Sequence, residues 1–379
     1  MSRLFKTADI LIPSQDVDME KWSVVACDQH SSEPEYWKAL DGYVGNAPST
    51  LRLMLPEAYL DRDVNRETAL INETMKNYLS SGVFRCVEDS YIYVERTLAN
   101  GKVRRGLMGA LNLAEYDYSA DSTSLIRATE GTVEDRLPAR VKIREGAALE
   151  MPQIMVFIND PENKLFDSAV EFCRSGEVEP LYDFELNMGG GHIKGSRLYG
   201  SGAKRISDIL SSLEDAIVNS SGDNLHPAVI AVGDGNHSLA TAKKCGSAYA
   251  LVELVNIYDP SIEFEPIHRV VFDTDSSSFS TEFETLGLDN ISNYAEKVRA
   301  AESFCCEYVH KHGGYIDYIH NDETALELGS RPNCAALLLS KPDKAKLFSS
   351  IEKHGPFPKK SFSIGHAEDK RYYLECRKI

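Results

Sequence analysis

One stretch near the middle of the chain, "PAVIAVGDGNHSLATAKKC" at 227–245, constrains the fold most strongly. Its first half is an apolar run typical of a buried strand, and its last third is typical of a helix. Gly233 and Gly235 allow a tight turn between the two, because glycine adopts positive φ without steric cost. The stretch therefore predicts a strand, a turn and a helix whose N-terminal N–H groups face whatever lies above the turn.

The polar side chains of this turn are of the types that bind anions and metal ions. Asp234 is suited to hold Mg²⁺ or to orient a hydroxyl, and Asn236 both donates and accepts hydrogen bonds. His237 is suited to donate to a phosphate or to move a proton. Alternatively, Asp234 and Asn236 shape the turn and cap the helix, and His237 bonds a backbone carbonyl. The stretch contains neither G-x-x-x-x-G-K-[ST] nor G-x-G-x-x-G.

The rest of the sequence favours an α+β fold. A turn at Asn100-Gly101 joins two alternating segments and predicts a hairpin, and the glycines at 189–191 separate a second pair. Helical segments lie between these strands, so we expect a mixed, largely antiparallel sheet with flanking helices. The serine-rich run "TDSSSFST" suggests a core of residues 1–275 and a C-terminal α+β segment of residues 276–379.

Composition excludes several classes of protein. The net charge of −17 opposes binding to nucleic acid, although a small anionic ligand still fits an acidic protein. The apolar runs, such as "AALLLS", are shorter than the roughly 20 residues of a membrane span. The eight cysteines form no C-x-x-C pair, which argues against a zinc site. The N-terminus does not resemble a secretion signal, so we expect a cytoplasmic protein with no membrane partner.

A second polar group follows an apolar segment in "VVACDQHSSEPEYW", at 24–37. Because pockets form at strand ends, Asp28 and His30 are candidates for substrate binding. The same residues also fit a helix start with proline and glutamate in its first turn. His268, within "EPIHRVV", either joins one of these sites or lies within a sheet.

The stretch "DGNHSLATAKK" resembles the loop and helix of the ParB/sulfiredoxin-like superfamily, whose members include nucleotide-dependent free-serine kinases. The whole chain resembles more specifically the family of domain of unknown function 1015 (DUF1015). Four further pieces occur in the order typical of that family. They are "EDRL" at 134–137, "YDFEL" at 182–186, "PIHRVV" at 266–271 and "FPKKSF" at 357–362. The resemblance implies a ParB/sulfiredoxin-like core.

The resemblance also implies roles for individual residues. In the serine kinases, the loop and helix start hold the nucleotide phosphates, and an earlier carboxylate acts as base toward the serine hydroxyl. The resemblance implies that Asp234 and His237 occupy catalytic positions of the loop and that Asp234 holds Mg²⁺. Glu130 is the nearest match to the carboxylate that acts as base. Ser238 stands where the superfamily has arginine, and Arg127 to Glu130 stand where relatives read H-E-x-T. The phosphate-binding positions implied are Gly233, Gly235, Asn236, Ser238 and Arg136.

These observations leave three hypotheses. The first is a small-molecule kinase that uses Mg²⁺ with ATP or ADP on a hydroxylated metabolite such as free serine. It requires cations near the loop, for which the candidates are Arg127, Arg136, Lys142 and Lys243. The second is a non-catalytic module that binds a nucleotide or anion. The third, a metal-dependent hydrolase using three histidines, lacks any metal-ligand spacing. The sequence does not decide whether the chain is an enzyme or forms a homo-oligomer.

Overall fold

The computed structural model describes residues 2–131, 137–220, 226–365 and 369–379, without the side chains of 137–139 and 289. Two compact units divide the described residues. Unit 1 contains those within Met1–Ala128, Thr132–Ile262 and His366–Ile379, and unit 2 contains Thr129–Gly131 and Glu263–Gly365. The segments 1–275 and 276–379 expected from the sequence are a different division and stay a prediction.

Strands and short helices alternate along both units. The strands are β1 (Phe5–Lys6), β2 (Ala8–Pro13), β3 (Val24–Val25), β4 (Phe84–Thr97), β5 (Val103–Asn112), β6 (Tyr116–Asp117), β7 (Ile126–Ala128), β8 (Leu149–Glu150), β9 (Met155–Ile158), β10 (Glu179–Glu185), β11 (His192–Leu198), β12 (Ile230–Asp234), β13 (Tyr249–Asn256), β14 (Phe264–Pro266), β15 (His268–Phe272), β16 (Tyr315–Ile319), β17 (Ala335–Leu337), β18 (Phe362–Ile364), β19 (Tyr372–Tyr373) and β20 (Arg377–Lys378). The α-helices are α1 (Met19–Trp22), α2 (Pro34–Val44), α3 (Val64–Ser80), α4 (Leu137–Arg144), α5 (Lys164–Ser175), α6 (Gly200–Ser220), α7 (Asn236–Lys244), α8 (Phe279–Glu284), α9 (Tyr294–His312), α10 (Asp322–Gly329) and α11 (Leu347–His354).

A large mixed sheet organises unit 1. Its main path runs β10-β11-β4-β5-β13-β9-β12-β7-β6, with β1 beside β5 and β2 beside β4. Most neighbours are antiparallel, whereas β12 is parallel to β7, β7 to β6 and β13 to β9. The hairpin of β4 and β5 turns at Gly101, whose φ of 79° suits glycine. The predicted α+β class with a mixed, largely antiparallel sheet is therefore confirmed.

Alternate residues of this sheet pack into two separate hydrophobic cores. In β4, Ile92 and Val94 belong to one core, and Tyr91 and Tyr93 belong to the other. This alternation is expected for a sheet buried on both faces, because successive side chains point to opposite sides. The first core also contains the C-terminal strand β19. The second core contains helix α6, which buries Ala203, Ile206 and Leu210 at helical spacing.

Unit 2 is smaller and contains two short sheets in its described residues. One pairs β14 with β18, and the other has the order β16-β15-β17. Helix α9 begins at the cap Asn293, whose side chain accepts the Glu296 N–H, and it buries Val298, Phe304 and Tyr308 in the core of this unit. Across the described part of the chain, no helix combines the length and the apolar character that crossing a membrane requires.

Candidate functional site

The predicted strand, turn and helix are present in unit 1. Strand β12 ends at Asp234, Gly235 adopts a left-handed conformation with φ of 80°, and α7 begins at Asn236. The Gly235 N–H donates to Asp234 Oδ1 at 2.9 Å. The N-cap residue of α7 is Gly235, so among the described residues no N-cap side chain caps this helix, and Asp234 and Asn236 do not act as its cap. The positive end of the helix is therefore directed at the loop.

The two glycines of the loop have different physical explanations. A Cβ at Gly233 would lie 2.4 Å from the Phe157 ring, so packing against that ring excludes a side chain. A Cβ at Gly235 would lie 3.0 Å from Ile154, and the positive φ of Gly235 disfavours other residues. Both glycines thus shape the loop itself, and their predicted contact with phosphate stays a prediction.

The loop's other polar side chains are held to different extents. Asn236 is 9% exposed, and its Oδ1 has no hydrogen-bond partner among the described residues. Ser238 Oγ accepts a hydrogen bond from Gln153 Nε2 at 3.1 Å. His237 is half-buried, and its carbonyl accepts the Thr241 hydroxyl at 2.7 Å. Asn236 therefore retains an acceptor in a position where water has little access.

The structure brings Asp28 close to Asp234, although 206 positions of sequence separate them. Burial raises the pKa of Asp28, and the negative charge of Asp234 raises it further. A hydrogen bond from Gln29 and the charges of Lys370 and Arg140 oppose that rise without cancelling it. The ionised form of the half-buried Asp28 is therefore destabilised beside Asp234.

Among the described residues, Lys370 is the cation in direct contact with this pair. Its Nζ lies 3.1 Å from Asp234 Oδ2, and its side chain is only 14% exposed. Lys370 comes from the C-terminal segment, whose strand β19 pairs with β3 just before Asp28. Arg140 also acts on Asp28, but it is itself paired with Glu57, so among the described residues Lys370 is the one cation that forms an ion pair with either carboxylate.

A cavity of about 500 Å³ lies beside the carboxylate pair, within unit 1. Tyr373 donates a hydrogen bond to Gln153 Oε1 at 2.7 Å, and its hydroxyl lies 3.1 Å from Cys27 Sγ. Burial raises the pKa of the Cys27 thiol to about 11, so Cys27 is a neutral thiol at physiological pH. The residues that line the cavity are Cys27, Leu53, Met54, Leu55, Glu57, Leu60, Met75, Arg140, Ile143, Arg144, Ala147, Leu149, Glu150, Met151, Pro152, Gln153, Ile154, Ser238, Thr241, Leu251 and Tyr373.

Two predicted substrate-binding histidines have partners of their own. The His30 ring stacks on Tyr36 with centroids 3.7 Å apart, and its Nδ1 lies 3.1 Å from Glu33 Oε1. His268 is fully buried in β15 of unit 2, where Nδ1 accepts the Leu339 N–H and Nε2 lies 2.7 Å from Asp322 Oδ1. These contacts organise the start of α2 and the second sheet of unit 2, and a role in substrate binding stays a prediction.

Two further predicted residues, Glu130 and Arg136, do not belong to the described part of unit 1. Glu130 belongs to unit 2, where its Oε1 accepts the Lys360 N–H at 2.8 Å. Arg136 lies outside the described residues. Their proposed roles as base and as phosphate ligand stay predictions.

The expected cations are placed differently from the sequence prediction. Arg127 donates to the backbone carbonyls of Ser124 and His226, and Lys243 donates to those of Leu113 and Tyr116. Lys142 is exposed on α4. Among the described residues, the cations that act on the carboxylate pair are Lys370 and Arg140. Tyr373 and Gln153 form a hydrogen bond nearby. The sequence analysis identified none of these four residues. The available signal was the basic and aromatic alternation in "DKRYYLECRK" at 369–378.

A second group of charges lies deeper in unit 1, and its carboxylates have arginine partners. Arg371 Nη1 lies 3.1 Å from Glu253 Oε2, and Arg371 also donates to Glu375. Arg104 Nε lies 3.7 Å from Glu253 Oε1. Burial raises the pKa of Glu253, but the charges of Arg371, Arg104 and Arg96 outweigh it, so the pKa is lowered overall. Glu253 is therefore ionised and paired.

No group of three or more His, Cys, Asp or Glu side chains in the described ranges is arranged to hold a metal ion. A nucleotide-associated Mg²⁺ needs fewer protein ligands, because phosphates and water complete its coordination. The Asp28 and Asp234 pair fits such an ion, since a divalent cation would relieve the repulsion that raises the pKa of Asp28.

Comparisons with known proteins identify a family and several distant structural likenesses. A sequence model described as "Protein of unknown function (DUF1015)" matches residues 11–378. No curated protein matches the chain. A solved structure titled "Free serine kinase in complex with AMP" is 9% identical, covers 70% of this chain and 90% of its own, and has a TM-score of 0.38. A mutant free serine kinase in complex with ADP is 9% identical, covers 72% of this chain and 92% of its own, and has a TM-score of 0.39. A conserved hypothetical protein from Pyrococcus furiosus is 9% identical, covers 71% of this chain and 94% of its own, and has a TM-score of 0.34. TM-scores this low set no constraint on the function of this chain.

Proposed function

The chain belongs to the DUF1015 family, whose description assigns no function, and we propose one from the geometry of unit 1. We propose that the protein is a magnesium-dependent phosphotransferase. It would transfer a phosphoryl group from ATP or ADP to a small hydroxylated metabolite, with free serine as the acceptor that the resemblance of the loop suggests. The support consists of the uncapped start of α7, the carboxylate pair beside it and the adjoining cavity.

The observation that carries this proposal is the juxtaposition of Asp28, Asp234 and Lys370. Two carboxylates that repel each other in a half-buried site favour the uptake of a cation, and Asp234 is our assignment for the residue that holds Mg²⁺. Mg²⁺ bound with the nucleotide would supply neutralisation of the phosphate charge. Lys370 is placed to contact a phosphate oxygen when Asp234 turns to the ion.

The backbone of α7 completes the phosphate site. Its uncapped N-terminus presents N–H groups and a positive dipole end, which together favour a bound phosphate. His237 and Ser238 lie in this first turn, and Asn236 Oδ1 lacks a partner among the described residues. In this proposal Asn236 accepts a hydrogen bond from the ligand, and His237 donates to a phosphate oxygen.

Asp28 is our assignment for the group that receives the proton of the acceptor hydroxyl. The hydroxyl oxygen forms a bond to the transferred phosphorus while the bond from phosphorus to the bridging oxygen of the donor breaks. The hydroxyl proton passes to Asp28 and then to solvent, and the shortened nucleotide leaves. The raised pKa of Asp28 suits a general base, because it lies nearer to the pH of the cell than that of an ordinary carboxylate. Glu130 is the second candidate base.

Calorimetric titration with Mg·ATP and Mg·ADP tests this proposal. We expect wild type to bind, and Asp234→Asn and Lys370→Met to lose affinity by about tenfold or more, as expected for charged groups in contact with a ligand. The Lys204 and Asp208 pair on α6 has a similar N to O distance of 2.8 Å but is exposed, so Asp208→Asn and Lys204→Met are matched controls. Unchanged affinity in both site variants would disprove the assignment.

The alternative is a module that binds the nucleotide without catalysis. Ser238 favours it, because a hydroxyl held by Gln153 stands where the resembling superfamily has an arginine that would steady a phosphate. A coupled assay for ADP or AMP formation separates the two functions. Binding without any turnover, over a panel of hydroxylated acceptors, would favour the module.

A further inference from the structure

The cavity of unit 1 has a chemical character that does not match free serine. Its volume of about 500 Å³ is that of a site for a whole small-molecule ligand, for which about 300–1,000 Å³ is usual. We propose that this cavity binds the phosphoryl acceptor and that the acceptor is a hydroxylated compound with a sizeable, uncharged apolar body. This inference rests on the proposed function and narrows its substrate class.

The walls of the cavity are mostly apolar. More than half of the lining residues are apolar, and three of them are methionines, whose flexible side chains adapt to ligands of irregular shape. An apolar ligand gains affinity from each methylene that it buries here. Free serine has a single hydroxymethyl group as its side chain and gains nothing from such walls.

The charged residues of the lining are already paired with one another. Arg140 pairs with Glu57, and Arg144 Nη2 lies 2.7 Å from Glu150 Oε2. Among the described lining residues, these arginines are the only cations, and each already holds a carboxylate, so a ligand carboxylate would compete with Glu57 or Glu150 for them. Such competition would take from half-buried Glu57 its partner Arg140, which is unfavourable, whereas Glu150 would keep Arg377 Nε at 2.6 Å. The pairing therefore disfavours an amino acid and favours an uncharged body.

Two lining residues with polar atoms belong to the segments that carry Asp28 and Asp234. Cys27 immediately precedes Asp28, and Ser238 lies in the first turn of α7, two residues after Asn236. Ser238 Oγ accepts from Gln153 and so keeps its own proton for a ligand oxygen. Arg140 lines the cavity, and its charge also acts on Asp28. An acceptor with its apolar body in the cavity would thus place its hydroxyl toward Asp28.

A chain-length series of uncharged diols tests the inference. Wild type is titrated with 1,2-ethanediol, 1,4-butanediol, 1,6-hexanediol and 1,8-octanediol, and separately with serine and with Mg·ADP. We expect diol affinity to rise roughly threefold to fourfold for each added methylene, because each buried methylene contributes a constant increment. We expect serine to bind more weakly than the longest diol.

A cavity-filling variant locates the binding. Ala147 lines the cavity and is half-buried, so Ala147→Phe should occupy part of the space and lower the affinity for 1,8-octanediol about tenfold or more. Ala216 is exposed on α6, and Ala216→Phe should leave that affinity unchanged. Mg·ADP binding should be the same in wild type and both variants, which also reports that the variants are folded.

The outcomes separate the inference from the proposed function. Chain-length dependence that is lost in Ala147→Phe, together with Mg·ADP binding, supports both. Flat diol affinities in a protein that binds Mg·ADP would overturn the inference and leave the phosphotransferase proposal standing. Chain-length dependence that persists unchanged in Ala147→Phe would also overturn it. Diol binding without any nucleotide binding would overturn the assignment of the cavity to a phosphoryl acceptor, because no donor would be present.

Discussion

Two neighbouring residues of the C-terminal segment, Lys370 and Arg371, end in opposite electrostatic environments. Arg371 contacts Glu253 and Glu375, and Arg104 adds a second cation to that buried cluster. Three arginines, Arg371, Arg104 and Arg96, act on the carboxylates there, and the pKa of Glu253 is lowered. Lys370 contacts Asp234, but Asp28 adds a second carboxylate that forms no ion pair among the described residues, and its pKa is raised.

This difference distinguishes a structural cluster from a candidate site. A buried cluster whose carboxylates have arginine partners stabilises one arrangement of the chain. A carboxylate pair that burial and repulsion destabilise, with too few cations around it, is stabilised when a cation or a proton binds. The comparison therefore predicts that mutations in the cluster change stability and that mutations at the pair change ligand binding.

The largest expected effect is the loss of Arg371. Arg371→Met leaves Glu253 and Glu375 buried without their common cation, and we expect the free energy of unfolding to fall by about 3–5 kcal/mol. Urea unfolding measures the change. The control Lys204→Met, at an exposed pair, should change stability by less than about 0.5 kcal/mol. Equal effects of the two variants would refute the structural role of the cluster.

A smaller change in stability, which depends on pH, is expected when Glu253 is replaced. Because its pKa is lowered in the folded protein, ionised Glu253 stabilises the fold above its unfolded pKa of about 4.3. That contribution is lost as the pH falls through 4.3 toward the folded value. Glu253→Gln should therefore destabilise by about 2 kcal/mol at pH 7 and by progressively less below pH 4. Urea unfolding across pH 3–8 tests it, and a penalty that grows on acidification would contradict it.

The smallest change in stability is expected when Asp28 is replaced, and it is a stabilisation, whereas the two preceding substitutions destabilise. Since its pKa is raised in the folded protein, the folded state binds a proton that the unfolded state has released, and stability falls as the pH rises above about 3.9. Asp28→Asn should stabilise the apo protein at pH 7 by about 1 kcal/mol or less, with no gain at pH 4. Thermal unfolding at the two pH values measures it. Destabilisation at pH 7 would show that Asp28 is a satisfied structural residue.

Local patterns predicted the parts of the fold that depend on local contacts. The hairpin at Gly101, helix α6 and the turn from β12 into α7 all follow from residues within about 20 positions of one another. The loop residues Asp234 and Asn236 could be predicted for the same reason, since glycine and helix-start chemistry act over a few residues.

Contacts between distant parts of the chain could not be predicted in this way. Lys370 and Asp234 are 136 positions apart, and Tyr373 and Cys27 are 346 apart. The short strand β19 has two residues and no periodicity that would place it beside β3. The sequence also suggested Arg127 and Lys243 as cations near the loop, but both donate to backbone carbonyls, a choice that only the tertiary structure reveals.

The most direct test of the central claim is the calorimetric titration of Mg·ADP into wild type, Asp234→Asn and Asp208→Asn. The same chemical change is made once at the carboxylate pair and once on an exposed surface. We predict that wild type and Asp208→Asn bind equally and that Asp234→Asn loses affinity by about tenfold or more while unfolding at a similar temperature. Equal binding by all three proteins, or no binding by wild type, would contradict the claim that the unbalanced pair is a nucleotide site.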